Sequence, residues 1–282
     1  MAELFVDDDA DLTLVQGRNV AVLGYDDQAA AHALCLRDSG VDVRVGLDTG
    51  SPLWDEAVAD GLRVVTPYEA CEEADLVVLP VTSAGDASVA EAVLANLVAG
   101  DVVVLQETAG LPGEPPRGVD VVRLAPWASG LVVRDEFEQG RGVPVFAAVV
   151  VDGSGGAWDI ALAYARAIGA TRAGVIRTTD AEYIRARTFG ESTLLRGGVL
   201  PLVRTAFDSL VESGCQPEVA YLRCVHGLRL FADELVRGAL DADLAAARVS
   251  ADPTSDADPL PAAAALVRSL MAWERAQDPR LH

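Results

Sequence analysis

Apolar residues follow two different patterns along the chain. Up to about Thr179, short apolar runs of strand type alternate with stretches of helical spacing. The runs are Val20–Leu23, Val41–Leu47, Arg63–Val65, Leu76–Pro80, Val102–Leu105, Val119–Leu124 and Pro144–Val151. Between them, the Ala-rich stretch up to Leu34 and the segments Trp54–Asp60, Pro67–Glu73, Asp86–Val98 and Gly156–Ile168 have helical character. Such alternation predicts a Rossmann-like α/β domain with a mostly parallel sheet, because parallel strands need helical crossovers. From Asp180 the strand signal stops. Glu182–Phe189, Thr193–Ser213, Pro217–Arg237 and Ala262–Glu274 have helical periodicity, interrupted by the Pro/Asp/Ser/Ala-rich stretch Ser250–Pro261. The expected division is an α/β domain over 1–179 and an all-α domain over 180–282.

The first strand passes through Gly24 into a helix, the opening of a dinucleotide-binding unit, where a helix N-terminus receives a pyrophosphate. The G-x-G-x-x-G fingerprint keeps only its first glycine. Asp26 and Ala29 hold the other two positions, with Asp27 adjacent. A carboxylate held about 4 Å from the pyrophosphate costs on the order of 1–4 kcal/mol. If a nucleotide binds, Gly24, Tyr25, Asp26, Gln28, Asp48 and Ser51 are its candidate contacts, but Asp26 and Asp27 disfavour it. Asp48, near the second strand end, favours a ribose 2′-OH (NAD) over a 2′-phosphate (NADP). A polar turn residue is an equal reading.

Composition narrows the classes. The chain has 282 residues, is 51% hydrophobic and carries a net charge of −21. That charge argues against nucleic acid as a partner. With no long apolar run and an acidic start, the expectation is a cytoplasmic protein without a membrane partner. Every basic residue other than histidine is arginine, so no lysine is available for Schiff-base or general-acid chemistry. Cys35, Cys71, Cys215 and Cys224 show no paired spacing and read as reduced core thiols.

Longer segments carry a family likeness. MAELF-DDDADL, LRDSGVDVRVGL, GVPVFAAVVVD, ALAYARAIGATRAGVI, FGES, RGGVLPLV, ESGCQPEVAYLRCVHGL and LVRSLMAWE resemble the short form of ketol-acid reductoisomerase, collinearly over nearly the whole length. The resemblance implies a Rossmann domain followed by a knotted helical domain that interlocks with a second copy, giving a homodimer. It also implies a site between domains for NADPH, two Mg²⁺ ions and a 2-acetohydroxy acid.

At the family's functional positions the chain departs. Its cofactor loop GYGSQGHAHAL is GYDDQAAAHAL here, and its active-site histidine aligns with Glu107. The lysine of P-K-G-P-G-H aligns with Trp127, ahead of Ser129. In the metal motif T-D-L-F-G-E, Glu191 is kept but the aspartate is Arg187. In place of E-C-L-H-E stand Arg223 to Gly227, including His226. Mg²⁺ needs carboxylate oxygens and water, which one Glu and two Arg cannot supply as a pair. Residue by residue, the expectation is no Mg²⁺, no other metal, no nucleotide and no reductoisomerase activity. The preferred reading is a metal-independent enzyme of specialised metabolism. It would cyclise or isomerise a small molecule in the interdomain cleft. Glu107 and Glu191 move protons, Arg187 and Arg223 stabilise charge, and Trp127, Ser129 and His226 contact substrate. An NAD(P)H-dependent carbonyl or imine reductase and a non-catalytic binding subunit stay open. So do bland readings: a solvated Glu107, a packed Trp127 and a core or interface His226.

Overall fold

The computed structural model describes residues 3–80, 87–111 and 113–238. The chain divides into two compact units between Tyr183 and Ile184, a few residues beyond the expected 179/180 division.

In the first unit the elements run β1 (Leu4–Phe5), α1 (Thr13–Gln16), β2 (Asn19–Leu23), α2 (Asp27–Asp38), β3 (Asp42–Gly46), α3 (Trp54–Ala59), β4 (Arg63–Val65) and α4 (Pro67–Glu72). They continue with β5 (Leu76–Leu79), α5 (Ala87–Asn96), β6 (Val102–Gln106), β7 (Asp120–Pro126), α6 (Gly130–Glu138), β8 (Val145–Val151), α7 (Ala157–Ala167) and β9 (Val175–Arg177). Among the described residues nine strands form one sheet, in the order β1-β9-β8-β7-β6-β5-β2-β3-β4. Strands β2 to β7 pair in parallel, and the antiparallel joints are β7 with β8 and β1 with β9. The expected Rossmann-like, mostly parallel sheet is present.

The order in which strands are added reverses at β2, which is parallel to both of its neighbours. From β2 the chain steps outward to β3 and β4, then returns to β5 on the other side. Ligands of doubly wound sheets bind outside the carboxyl ends of the strands at such a switch point. Burial on both faces explains the unbroken apolar runs: β5, β6 and β7 are buried along their whole length. One face packs against α2 and α7 through Ala29, Ala33, Leu36, Ile160 and Tyr164; the other packs against α4 and α5.

Several elements escaped the periodicity reading, the four-residue α1 among them. α6 begins with glycine and carries adjacent β-branched Val132 and Val133, which weaken a helical signal. β1 is two residues long, too short for any alternation to register, and β9 is a three-residue strand. Of the cysteines, Cys35 and Cys71 are buried thiols as expected, whereas Cys215 and Cys224 are partly exposed.

α8 (Asp180–Arg187) contains the division, and the described part of the second unit is helical apart from a turn at 213–216. A wide-turn, π-type segment over Thr188–Val199 runs into α9 (Leu200–Glu212). α10 (Pro217–Tyr221) continues through a second such segment, Leu222–His226, into α11 (Gly227–Gly238). The expected helix Ala262–Glu274 and the stretch Ser250–Pro261 lie outside the described residues. No helix among the described residues is long and apolar enough to cross a membrane.

Candidate functional site

Gly24 turns the chain from β2 into α2 with φ +112°, a conformation L side chains rarely adopt, and its N–H donates to Gly46 O at 3.0 Å. A cleft of about 300 Å³ opens there, lined by Gly24, Gly46, Leu47, Asp48, Gly50 and Ser51 and walled by Pro67 and Val89. It lies at the carboxyl ends of β2 and β3, where the adenosine half of a dinucleotide sits in such folds. The candidate contacts Gly24, Asp48 and Ser51 therefore share one cavity. Tyr25 is instead buried, its hydroxyl donating to Asp60 Oδ2 at 2.6 Å; burial pushes its pKa well up and the Asp60 carboxylate adds to the shift. It is a packing residue.

The two aspartates that interrupt the fingerprint have defined backbone partners. Asp26 has extended backbone and caps α2, with Oδ1 accepting from Gln28 N at 3.1 Å and Ala29 N at 2.9 Å. These are the helix donors that a bound pyrophosphate would use. Asp27 reaches α6: Oδ2 accepts from Gly130 N at 2.9 Å and Oδ1 from Leu131 N at 3.1 Å. Gln28 adds a longer contact, Nε2 to Ala128 O at 3.4 Å. An Asp directly before an Ala-rich run is a helix-cap signal in its own right, and it marks these positions as structural as well as electrostatic.

Along the same sheet edge, Gln106 ends β6 fully buried, and neither Oε1 nor Nε2 has a hydrogen-bond partner. Glu107 follows with φ +49°, outside the usual range for a side-chain-bearing residue. Its carbonyl accepts from Arg123 Nη1 at 2.5 Å, and Ala109 O accepts from the same nitrogen at 2.8 Å. Arg123 is 5% exposed and its Nε donates to Asp180 Oδ1 at 2.5 Å. The sequence gives no motif for Arg123 because its work is done through backbone carbonyls. Trp127 is 75% exposed, its ring edge-on to Phe146 at 5.7 Å, and Ser129 is exposed at the start of α6. Trp127 has one packed edge and one open face.

In the helical unit Arg187 Nε lies 3.3 Å from Glu191 Oε1, one helical turn apart. Arg223 and His226 are exposed on the Leu222–His226 segment. The expected catalytic set is thus divided, with Glu107 in the first unit and Glu191, Arg187 and Arg223 in the second.

Residues 14–174 match the family model described as "Acetohydroxy acid isomeroreductase, NADPH-binding domain", and residues 184–256 match "Ketol-acid reductoisomerase, C-terminal domain". The chain belongs to the ketol-acid reductoisomerase family. It is 49% identical over 244 residues to the ketol-acid reductoisomerase (NADP(+)) of Renibacterium salmoninarum, covering 85% of this chain and 72% of that protein. A protein of the same name from Kineococcus radiotolerans is 48% identical over 244 residues, covering 85% and 71%. Among solved structures, an NADH-preferring ketol-acid reductoisomerase from an uncultured archean superposes with a TM-score of 0.80 at 30% identity. That match covers 97% of this chain and 86% of the other.

These findings correct two expectations. A metal-independent enzyme of specialised metabolism is overturned by relatives of nearly half identity that carry the reductoisomerase name. The absence of nucleotide and Mg²⁺ is overturned by the same relatives and by the match to an NADPH-binding domain.

The residues fit the two implied groups differently. The cleft at Gly24–Ser51 suits the adenosine half of a nucleotide, while Asp26 occupies the α2 donors and must turn aside for a pyrophosphate to reach them. For Mg²⁺, no group of three His, Cys, Asp or Glu side chains among the described residues could hold a metal ion, and Glu191 faces Arg187. The described side chains do not by themselves form a metal pair.

Proposed function

We propose that this protein is a nicotinamide-dinucleotide-dependent ketol-acid reductoisomerase acting on an acetohydroxy acid. The carrying observation is collinear identity of 49% with an enzyme of that name, over a fold that opens a cleft at the switch point. In this reading the adenosine half lies against Gly24, Asp48 and Ser51, and the nucleotide when bound supplies the hydride. The guanidinium groups of Arg187 and Arg223 suit the carboxylate of such a substrate, which they can hold by forked hydrogen bonds. Glu107 and Glu191 are the proton-transfer candidates, and Trp127, Ser129 and His226 shape the substrate region. The helical unit pairs with a second copy, knotted as in the family, and exposed Leu195, Leu200, Leu202, Tyr221 and Phe231 supply apolar surface for that contact.

Incubation with 2-acetolactate, Mg²⁺ and either reduced nucleotide tests the reading. Nucleotide oxidation that depends on the substrate supports it. Oxidation absent with both nucleotides, in protein shown to be folded, would overturn it.

A further inference from the structure

We propose that the cleft selects NADH over NADPH and that Asp48 sets the choice. The inference rests on the dinucleotide reading above. Asp48 is exposed on the cleft wall two residues beyond β3, the second strand of the nucleotide-binding unit. A carboxylate there accepts a hydrogen bond from the ribose 2′-OH, whereas a 2′-phosphate needs a cation.

The cations of this half of the sheet are all committed elsewhere. The chain has no lysine, and four arginines precede Arg117. Arg18 donates to the carbonyls of Asp75 and Gly100. Arg37 pairs with Asp38 and donates to the Asp60 carbonyl. Arg44 and Arg63, on the strands nearest the cleft, both bind Glu73, at 2.5 and 2.7 Å. Arg44 also reaches Asn19 Oδ1 at 3.3 Å. Asn19 begins β2 and Glu73 precedes β5, so the Arg44 guanidinium lies at the amino-terminal edge of the sheet, opposite the cleft. The chain between Pro80 and Ala87 contains no basic residue. Among the described residues, the ribose end of the cleft thus presents Asp48 and small polar groups. A unit like-charge contact costs about fivefold in water, and a phosphate monoester carries nearly two charges, so discrimination of about 30-fold follows.

The test is isothermal titration calorimetry of the full chain with NADH and with NADPH, repeated on Asp48→Asn and Asp48→Arg. We expect NADH to bind about 30-fold more tightly, with Asp48→Asn narrowing the ratio and Asp48→Arg reversing it. Equal or tighter binding of NADPH by the natural chain would overturn the inference while leaving the dinucleotide reading intact. An unchanged ratio in both variants, with unaltered circular dichroism, would remove Asp48 as the determinant. Binding of neither nucleotide would overturn both readings.

Discussion

Asp27 and Gly130 join the start of α2 to the start of α6. The Asp27 carboxylate accepts the Gly130 N–H at 2.9 Å, and a Cβ on Gly130 would lie 1.9 Å from the Asp27 carbonyl oxygen. The obstacle is backbone rather than a movable side chain, so relief requires α6 to shift. Gly130→Ala should therefore destabilise the first unit by at least about 3 kcal/mol, at the upper end of overpacking costs. Urea denaturation measures it. A loss below about 1 kcal/mol would show that the two helix starts are less tightly apposed.

Asp26 has opposed effects on stability and binding. As the N-cap of α2 it supports the helix, and its carboxylate opposes a pyrophosphate at the same donors. Asp26→Ala should cost about 1 kcal/mol of stability. Asp26→Ser keeps a capping oxygen and should stay within about 0.5 kcal/mol of the natural chain. Both should tighten dinucleotide binding about fivefold or more, since both remove the charge. Tighter binding by the alanine variant but not by the serine variant would assign the effect to the cap rather than to charge.

His32 makes the first unit acid-sensitive. It is fully buried on α2, its Nδ1 lies 2.8 Å from the Tyr164 hydroxyl, and Nε2 has no partner. Burial lowers its pKa from 6.5 to about 4, opposed by the nearby Asp26 charge. Between those values the unfolded chain binds more protons than the folded one. The contribution is therefore fully present above pH 6.5 and is lost as pH falls to about 4, amounting to about 3 kcal/mol. Denaturant midpoints of the natural chain and of His32→Gln, compared at pH 7 and pH 4.5, check this by the difference in their acid slopes. Equal slopes would refute it.

Arg123 anchors the turn after β6. It is a buried cation paired with Asp180 that also holds the carbonyls of Glu107 and Ala109. Arg123→Met should destabilise by about 3 kcal/mol or more, because it leaves two carbonyls and a carboxylate without their donor. Thermal unfolding checks the loss, and faster hydrogen exchange at residues 107–109 checks its location.

The strands around the switch point were legible because they are buried on both faces, which writes continuous apolar runs into the chain. The Gly24 turn was legible because few other residues tolerate its backbone. Element ends with mixed signals, such as the start of α6, were not. At the candidate site the positions of Asp26 and Asp27 could be read, but their partners could not. Gly130 is more than a hundred residues away in sequence, and nothing local specifies it. Arg123 and Asp180, 57 residues apart, are hidden in the same way. Function is obscured for a related reason: the departures at a few aligned positions are local, whereas the similarity that decides it spans both units.

Hydride transfer to the substrate is the central claim, and isotope transfer measures it directly. The protein would be mixed with 2-acetolactate, Mg²⁺ and NADH deuterated at the transferable position, and the product analysed by mass spectrometry. The expected product is a rearranged dihydroxy acid carrying the deuterium. Product formed without deuterium, or substrate left unconsumed while NADH binds, would contradict it.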